Sequence, residues 1–263
     1  MTGNRNAKSG SQTFKNTIII HHHPGPGSAP SPTPFNRPAT DTMAKTQPPS
    51  SSFGAKKAYL VLYNAASASA WAIVLLRVVS TLLQHRDPSA VAPAVDSFAR
   101  TTQTFAVMEI LHALTGVVPA PVFTTIMQVF SRLVLVWGIA QPFPQLTPSA
   151  WYSSMLVAWA TTEVVRYSYF VLKQVEAVPG WLNWLRYSGF LVLYPVGISS
   201  EVAMIVKAIA GPAGELTDEY PLVLMSILGL YVPGSVILYS HMLKQRRKYL
   251  GAGAAVGKGK KAQ

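Results

Sequence analysis

Leu185-Arg186-Tyr187-Ser188-Gly189-Phe190-Leu191-Val192-Leu193-Tyr194-Pro195-Val196-Gly197-Ile198-Ser199-Ser200-Glu201 is apolar enough to lie in a bilayer, yet it carries a regular polar pattern. Tyr187, Tyr194 and Glu201 recur every seven residues. Seven residues is close to two α-helical turns, so the three side chains share one helix face. Along a straight helix the Tyr194 and Glu201 Cα atoms are about 10.5 Å apart. Pro195 removes a backbone donor and Gly197 loosens the next turn, which predicts a kink between phenol and carboxyl. A broken helix at membrane depth is tolerated where it lines a cavity. A phenol and a carboxyl opening on one cavity form an acid–base pair. Spacing alone leaves a second reading open, a polar stripe that only joins helices.

Outward from this segment, six apolar stretches fill the chain. They run from about Tyr59 to Leu83, Thr104 to Val118, Val122 to Ala140, Trp151 to Leu172, Leu185 to Ala210 and Leu222 to Leu243. A bilayer core needs roughly 20 apolar residues per helix. Five stretches meet that length; the second is short and carries Glu109 and His112. The expectation is an all-α membrane protein, a bundle of six transmembrane helices with disordered basic tails.

Charge supports the same layout. Of 263 residues 49% are hydrophobic and 12% charged, against about 25% charged in a typical soluble domain. The net charge is +12, but residues 1–57 hold +6 of it and residues 244–263 hold +7, leaving the middle near neutral. Basic tails flanking a neutral apolar body fit the positive-inside rule and argue against nucleic acid as a partner. Two cytosolic tails require an even number of crossings. Residues 1–55, rich in Ser, Thr, Pro and Gly, read as a disordered cytosolic N-terminal tail. Residues 56–249 read as the transmembrane domain and 250–263 as a basic cytosolic C-terminal tail. His21-His22-His23 reads as low complexity rather than as a metal site. With no cysteine in the chain, thiolate catalysis and Cys-based zinc sites are excluded.

Ionisable residues inside a span are costly and face a common interior. Glu109, His112, Arg132, Glu163, Arg166, Glu201 and Lys207 all fall in the apolar stretches. Glu163 and Arg166 are three apart, so they share a face and can pair. Arg166 then either holds helices together or meets an anionic or thioester group of a substrate.

The block Tyr194-Pro195-Val196-Gly197 with Glu201 resembles the signature of the eukaryotic very-long-chain (3R)-3-hydroxyacyl-CoA dehydratases, the protein-tyrosine-phosphatase-like proteins. Three further blocks agree in order: Glu109–Pro119, Gln128–Arg132 and Trp159–Tyr167. The resemblance covers about Tyr59 to Tyr249. It implies six spans, an endoplasmic reticulum location with both termini cytosolic, and the third step of fatty-acid elongation. Lys260-Lys261-Ala262-Gln263 is similar to a dilysine retrieval signal, in keeping with that location. The resemblance further implies that Tyr194 and Glu201 are catalytic, that the substrate is a long-chain 3-hydroxyacyl-CoA, and that no cofactor or metal is required. Other elongation enzymes (a condensing enzyme and reductases) are the implied partners. Arg166, Tyr167, Arg186 and Tyr187 are candidate substrate-binding residues. Arg186 and Lys173 would meet coenzyme A phosphates at the cytosolic side, unless they are only positive-inside anchors. The phosphatase-like name is not matched by chemistry: a Cys nucleophile and Arg clamp are replaced by Ala113 and Pro119.

Two rivals remain at this level. A small membrane transporter would show internal repeats with paired broken helices, and only one interruption is present. A non-catalytic scaffold of the elongation complex predicts loss of Tyr194 or Glu201, and both are present.

Overall fold

A computed structural model describes residues 54–259, with side chains placed through Leu250. The expectations for the N-terminal tail, for His21-His22-His23 and for the dilysine-like end lie outside the described residues.

All regular structure among the described residues is helical. Eight α-helices follow one another: α1 (Ala55–His85), α2 (Val91–Thr104), α3 (Val107–Leu114), α4 (Val122–Leu133), α5 (Ala150–Gln174), α6 (Gly180–Ser188), α7 (Phe190–Ala210) and α8 (Tyr220–Gly259). A π-helical turn over Val134–Ala140 extends α4. Four segments are long and apolar enough to cross a membrane: Ala55–His85, Val122–Ala140, Gly180–Ala210 and Tyr220–Leu250. Leu62, Leu76, Phe123, Val192, Leu230 and Ile237 are exposed along them. That much apolar surface is compatible with lipid and not with water, so the chain is a membrane protein.

The two remaining expected spans differ from the other four in an informative way. Helix α5 is long, but Tyr152, Met155, Leu156, Trp159, Ala160, Glu163 and Tyr167 are all buried in it. It packs against α1 and α7 and lies at the centre of the bundle. A helix enclosed by other helices does not need an apolar exterior, so Glu163 and Arg166 lower its hydropathy at no exposure cost. The expected second span, about Thr104 to Val118, holds only the eight-residue α3, with α2 lying before it. Helices α2 and α3 meet at Phe105-Ala106, and neither alone is long enough to cross.

Local signals account for several boundaries. Arg86 adopts φ 54°, ψ 18° and donates its N–H to Leu82 O, closing α1. Asp87 then starts a short turn, accepting from the Ser89 N–H at 2.9 Å; the two Ser89 donors hold its carboxyl below the usual range. Ser149 caps α5 by accepting the Tyr152 N–H at 3.3 Å.

The kink expected at Pro195–Gly197 is not a helix boundary. Helix α7 passes through both residues, and the boundary falls at Gly189. There the Gly189 N–H bonds Leu185 O at 2.8 Å, and Gly189 O accepts from both Val192 and Leu193 N–H. Glycine has the lowest helix propensity after proline, so a change of helix segment is cheapest there. Proline inside a membrane helix is tolerated when neighbours compensate the lost bond. Gly197 serves packing instead: a Cβ there would lie 3.7 Å from Ala158 Cβ, which brings α7 close to α5. One turn away, Ser154 Oγ and Ser200 Oγ hydrogen-bond across the same interface at 2.7 Å. The sixth stretch also runs further than expected, with α8 helical to Gly259 rather than ending near Leu243.

Candidate active site

Glu201 is buried, 8% exposed, and both its carboxylate oxygens are engaged. Trp159 of α5 donates its indole N–H to Oε1 at 2.7 Å. Tyr231 of α8 donates its hydroxyl to Oε2 at 3.0 Å. Tyr194 is half-buried and donates its hydroxyl to the Ser235 carbonyl at 3.1 Å. Its ring lies 5.7 Å from that of Tyr239. Tyr231 and Ser235 are one turn apart on α8. Glu201 and Tyr194 therefore address the same face of α8 from the same face of α7. Among the described residues they share no direct hydrogen bond.

A second set of buried charges lies beside this pair. The Glu163 carboxylate accepts from Arg132 of α4 and from Arg166 Nε at 2.7 Å. Arg166 also makes a two-pronged contact with Glu109 of α3, at 2.8 and 2.7 Å. The Tyr167 hydroxyl donates to Glu109 as well. Two arginines and two glutamates thus form a network with no net charge across α3, α4 and α5. Bidentate guanidinium–carboxylate contacts of this kind are strong and directional. Tyr59 hydrogen-bonds His112 Nε2 at 2.7 Å, and the Tyr63 ring packs edge-on to both His112 and Tyr167, so α1 closes over the network. The Arg132 guanidinium lies 5.3 Å from the Trp159 ring centroid. Trp159 therefore stands between the network and Glu201, its ring toward Arg132 and its N–H on the carboxylate.

The remaining candidates sit elsewhere. Arg186 and Tyr187 lie at the end of α6, with the guanidinium 5.8 Å from the Tyr187 ring. Tyr187 is buried and stacks on Tyr249 at 4.6 Å. The structure thus groups Tyr194 with Glu201, Arg166 with Tyr167, and Arg186 with Tyr187. Trp159 and Tyr231 were not anticipated as partners of Glu201. The only available signal was chemical: a buried carboxyl needs donors, and many aromatic residues fit that description. No group of three or more His, Asp or Glu side chains suited to a metal ion occurs among the described residues.

Fold and site together define a class, a helical membrane protein with a buried carboxylate and a phenol on one helix face. Comparison with known proteins is more specific. The profile of the family described as protein tyrosine phosphatase-like protein, PTPLA, matches residues 103–252. The chain is 42% identical over 215 residues to the very-long-chain (3R)-3-hydroxyacyl-CoA dehydratase PASTICCINO 2B of Oryza sativa subsp. japonica, covering 76% of this chain and 96% of that protein. It is 38% identical over 198 residues to the probable very-long-chain (3R)-3-hydroxyacyl-CoA dehydratase of Schizosaccharomyces pombe, covering 75% and 95%. It is 31% identical over 205 residues to the very-long-chain (3R)-3-hydroxyacyl-CoA dehydratase 2 of Homo sapiens, covering 73% and 81%. No solved structure matches. The chain belongs to the PTPLA family.

Proposed function

We propose that this protein dehydrates very-long-chain (3R)-3-hydroxyacyl-CoA to the trans-2-enoyl-CoA, the third step of fatty-acid elongation. The activity is that of a hydro-lyase. The relatives' shared name supports the reaction, and one structural observation supports the site. Of the glutamates Glu109, Glu163 and Glu201 inside the bundle, only Glu201 is held by neutral donors alone. Glu109 and Glu163 are bound by guanidinium groups, so their oxygens are already engaged by cations. An indole and a phenol fix a carboxylate in place while leaving its charge for the substrate.

In the reaction, Glu201 takes the proton from C2 of the acyl chain. The electrons of that C–H bond form the C2–C3 double bond as the C3–O bond breaks. Tyr194 gives its proton to the departing hydroxyl, which leaves as water. The phenolate then recovers the proton held by Glu201, which closes the cycle without a cofactor. In this reading Arg186 and Tyr187 contact the substrate. Arg166 and Tyr167, whose polar atoms are taken up by Glu109 and Glu163, act on the substrate side by holding α3 against α5.

The finer layout is part of the same proposal. The chain crosses the endoplasmic reticulum membrane six times, with α2–α3 and α5 as the second and fourth crossings and both termini cytosolic. Residues 1–55 and 250–263 are the cytosolic tails of a 56–249 catalytic domain, and the condensing and reducing enzymes of elongation are the partners. The deciding experiment supplies purified protein in detergent with a long-chain (3R)-3-hydroxyacyl-CoA and follows the enoyl product. Glu201→Gln and Tyr194→Phe should each lower turnover at least about 100-fold, the lower end of what a general acid or base contributes. Near-wild-type turnover in either variant would remove that residue from the mechanism.

A further inference from the structure

Two groups of cations in this protein are placed differently. Arg132 and Arg166, deep in the bundle, are matched by Glu163 and Glu109. Lys173, Arg186, Arg246 and Lys248 form the second set, and none of them takes part in an ion pair among the described residues. They gather around one aromatic stack. The Tyr187 and Tyr249 rings lie nearly parallel, 14° apart, joining α6 to α8. Arg186 is 5.8 Å from the first ring and the Lys248 ammonium 5.7 Å from the second. Arg246 Nε donates to Ser188 Oγ at 3.2 Å, one residue past Tyr187. Lys173 lies 5.9 Å from the ring of Tyr169, which itself packs edge-on to Tyr187. A small apolar cluster of Tyr169, Leu182 and Tyr187 forms the floor, separate from the main core.

Two features go beyond an ordinary basic rim. The Arg186 Nε is sealed from solvent and finds no acceptor among the described residues, whereas a guanidinium that only anchors a helix to headgroups keeps its donors wet. Tyr249, at 48% exposed, offers an open aromatic edge beside the Lys248 ammonium. Guanidinium groups suit phosphate oxygens, and aromatic faces suit purine rings.

We propose that this cluster binds the nucleotide end of the coenzyme A thioester, the diphosphate and 3′-phosphate on Arg186, Arg246 and Lys248 and the adenine against Tyr249. The inference rests on the dehydratase reading and adds the α8 residues to it. Placement agrees with reach. Arg186 precedes Tyr194 by eight residues and Glu201 by fifteen, an axial rise of about 12 and 22 Å along α6 and α7. The pantetheine arm separates the phosphates of coenzyme A from its thioester over a span of that order. A nucleotide held at the bundle end thus delivers C2 and C3 of the acyl chain to the Tyr194–Glu201 level, and the acyl tail continues into the apolar interior.

The test compares two substrates with the same acyl group, the coenzyme A thioester and the pantetheine thioester, which lacks the nucleotide. Purified wild type, Arg246→Gln, Arg186→Gln and Tyr249→Ala are assayed in detergent, with thermal unfolding as the control for folding. The ratio of kcat/KM for the coenzyme A thioester to that for the pantetheine thioester should fall at least tenfold in Arg246→Gln and Arg186→Gln, and severalfold in Tyr249→Ala. Adenosine 3′,5′-bisphosphate should inhibit the wild type competitively and lose potency in the same variants. An unchanged ratio in all three overturns the proposal. So does a phenotype confined to reduced retention on phosphatidylserine vesicles, which assigns the cations to lipid headgroups. If wild type turns over neither thioester, the dehydratase reading fails, and the bisphosphate binding measurement still decides whether the nucleotide site exists.

Discussion

Replacing Trp159 by Phe removes a single donor from the candidate site and little else. The Phe ring still fills most of a position that is 2% exposed and still lies beneath Arg132. Glu201 Oε1 loses the N–H now 2.7 Å away. A hydrogen bond to a charged group contributes about 1.5–3 kcal/mol. If that bond holds the carboxylate in its reactive pose, the whole amount appears in the barrier, and kcat falls about 10- to 150-fold at about 1.4 kcal/mol per decade. KM should move little, because neither Trp159 nor its N–H is assigned to the substrate. The assay is steady-state dehydration of a long-chain 3-hydroxyacyl-CoA in detergent. A double-mutant cycle makes it specific: in a Glu201→Gln background the Trp159→Phe change should cost almost nothing further, since its effect is routed through the carboxylate. If Trp159→Phe keeps kcat within twofold of wild type while Glu201→Gln is inactive, the indole does not position the base. If the two losses simply multiply, Trp159 acts somewhere other than Glu201.

Tyr231→Phe removes the donor to Oε2 of the same carboxylate, at a longer 3.0 Å, and should lower kcat about 10-fold, the lower end of what a hydrogen bond to a charged group contributes; the same kinetic assay decides. Arg132→Gln leaves Glu163 with one guanidinium instead of two, and breaking a buried ion pair costs about 3–5 kcal/mol. The detergent-solubilised variant should therefore unfold at a markedly lower temperature, and the double variant Arg132→Gln, Glu163→Gln should recover part of the loss. Gly197→Ala should leave thermal stability and activity close to wild type, because its Cβ would meet Ala158 Cβ at an ordinary 3.7 Å. Gly197→Leu should lower both by forcing α7 off α5.

Much of the fold was legible because lipid imposes a simple rule on sequence. The bounds read for the third stretch, Val122 to Ala140, coincide with the segment observed, since Pro119 and Pro121 before it and Pro142 after it leave few alternatives. The first, fifth and sixth stretches were likewise read at the right places, with ends shifted by a few residues at His85, Gly180 and Tyr220, except that the last helix continues well past Leu243. The helix boundary at Gly189 was not foreseen beside Pro195, because the cost of a missing bond at a proline depends on neighbours that the sequence does not name. The division of α2 from α3 at Phe105-Ala106 had no strong signal, as neither residue is a helix breaker. For the site, the period of seven put Tyr194 and Glu201 on one face, and both do meet the same face of α8. The i,i+3 pairing of Glu163 with Arg166 was also readable. What spacing within one helix does not encode is the partner on another. Glu109 reaches Arg166 across 57 positions of sequence, and Trp159 reaches Glu201 across 42.

Those long-range pairings explain why an acidic side chain can remain chemically useful inside this bundle. Four of the charges brought into the interior cancel among themselves, and each carboxylate in that network faces at least one guanidinium. A fifth charge, on Glu201, would be expensive if it were isolated and inert if it were paired in the same way. The arrangement avoids both outcomes. Arg132 lies against the Trp159 ring, and the indole N–H rather than the guanidinium meets Glu201. The carboxyl is held by the indole and phenol dipoles instead of by a neutralising ion. Preorganised dipoles of this kind support charge where chemistry needs it without binding it so firmly that reaction stops. On the proposed assignment of Glu201 as the base, the network beside it has a role: with Arg132 and Arg166 engaged by Glu163 and Glu109, Glu201 is left without a direct cation partner among the described residues.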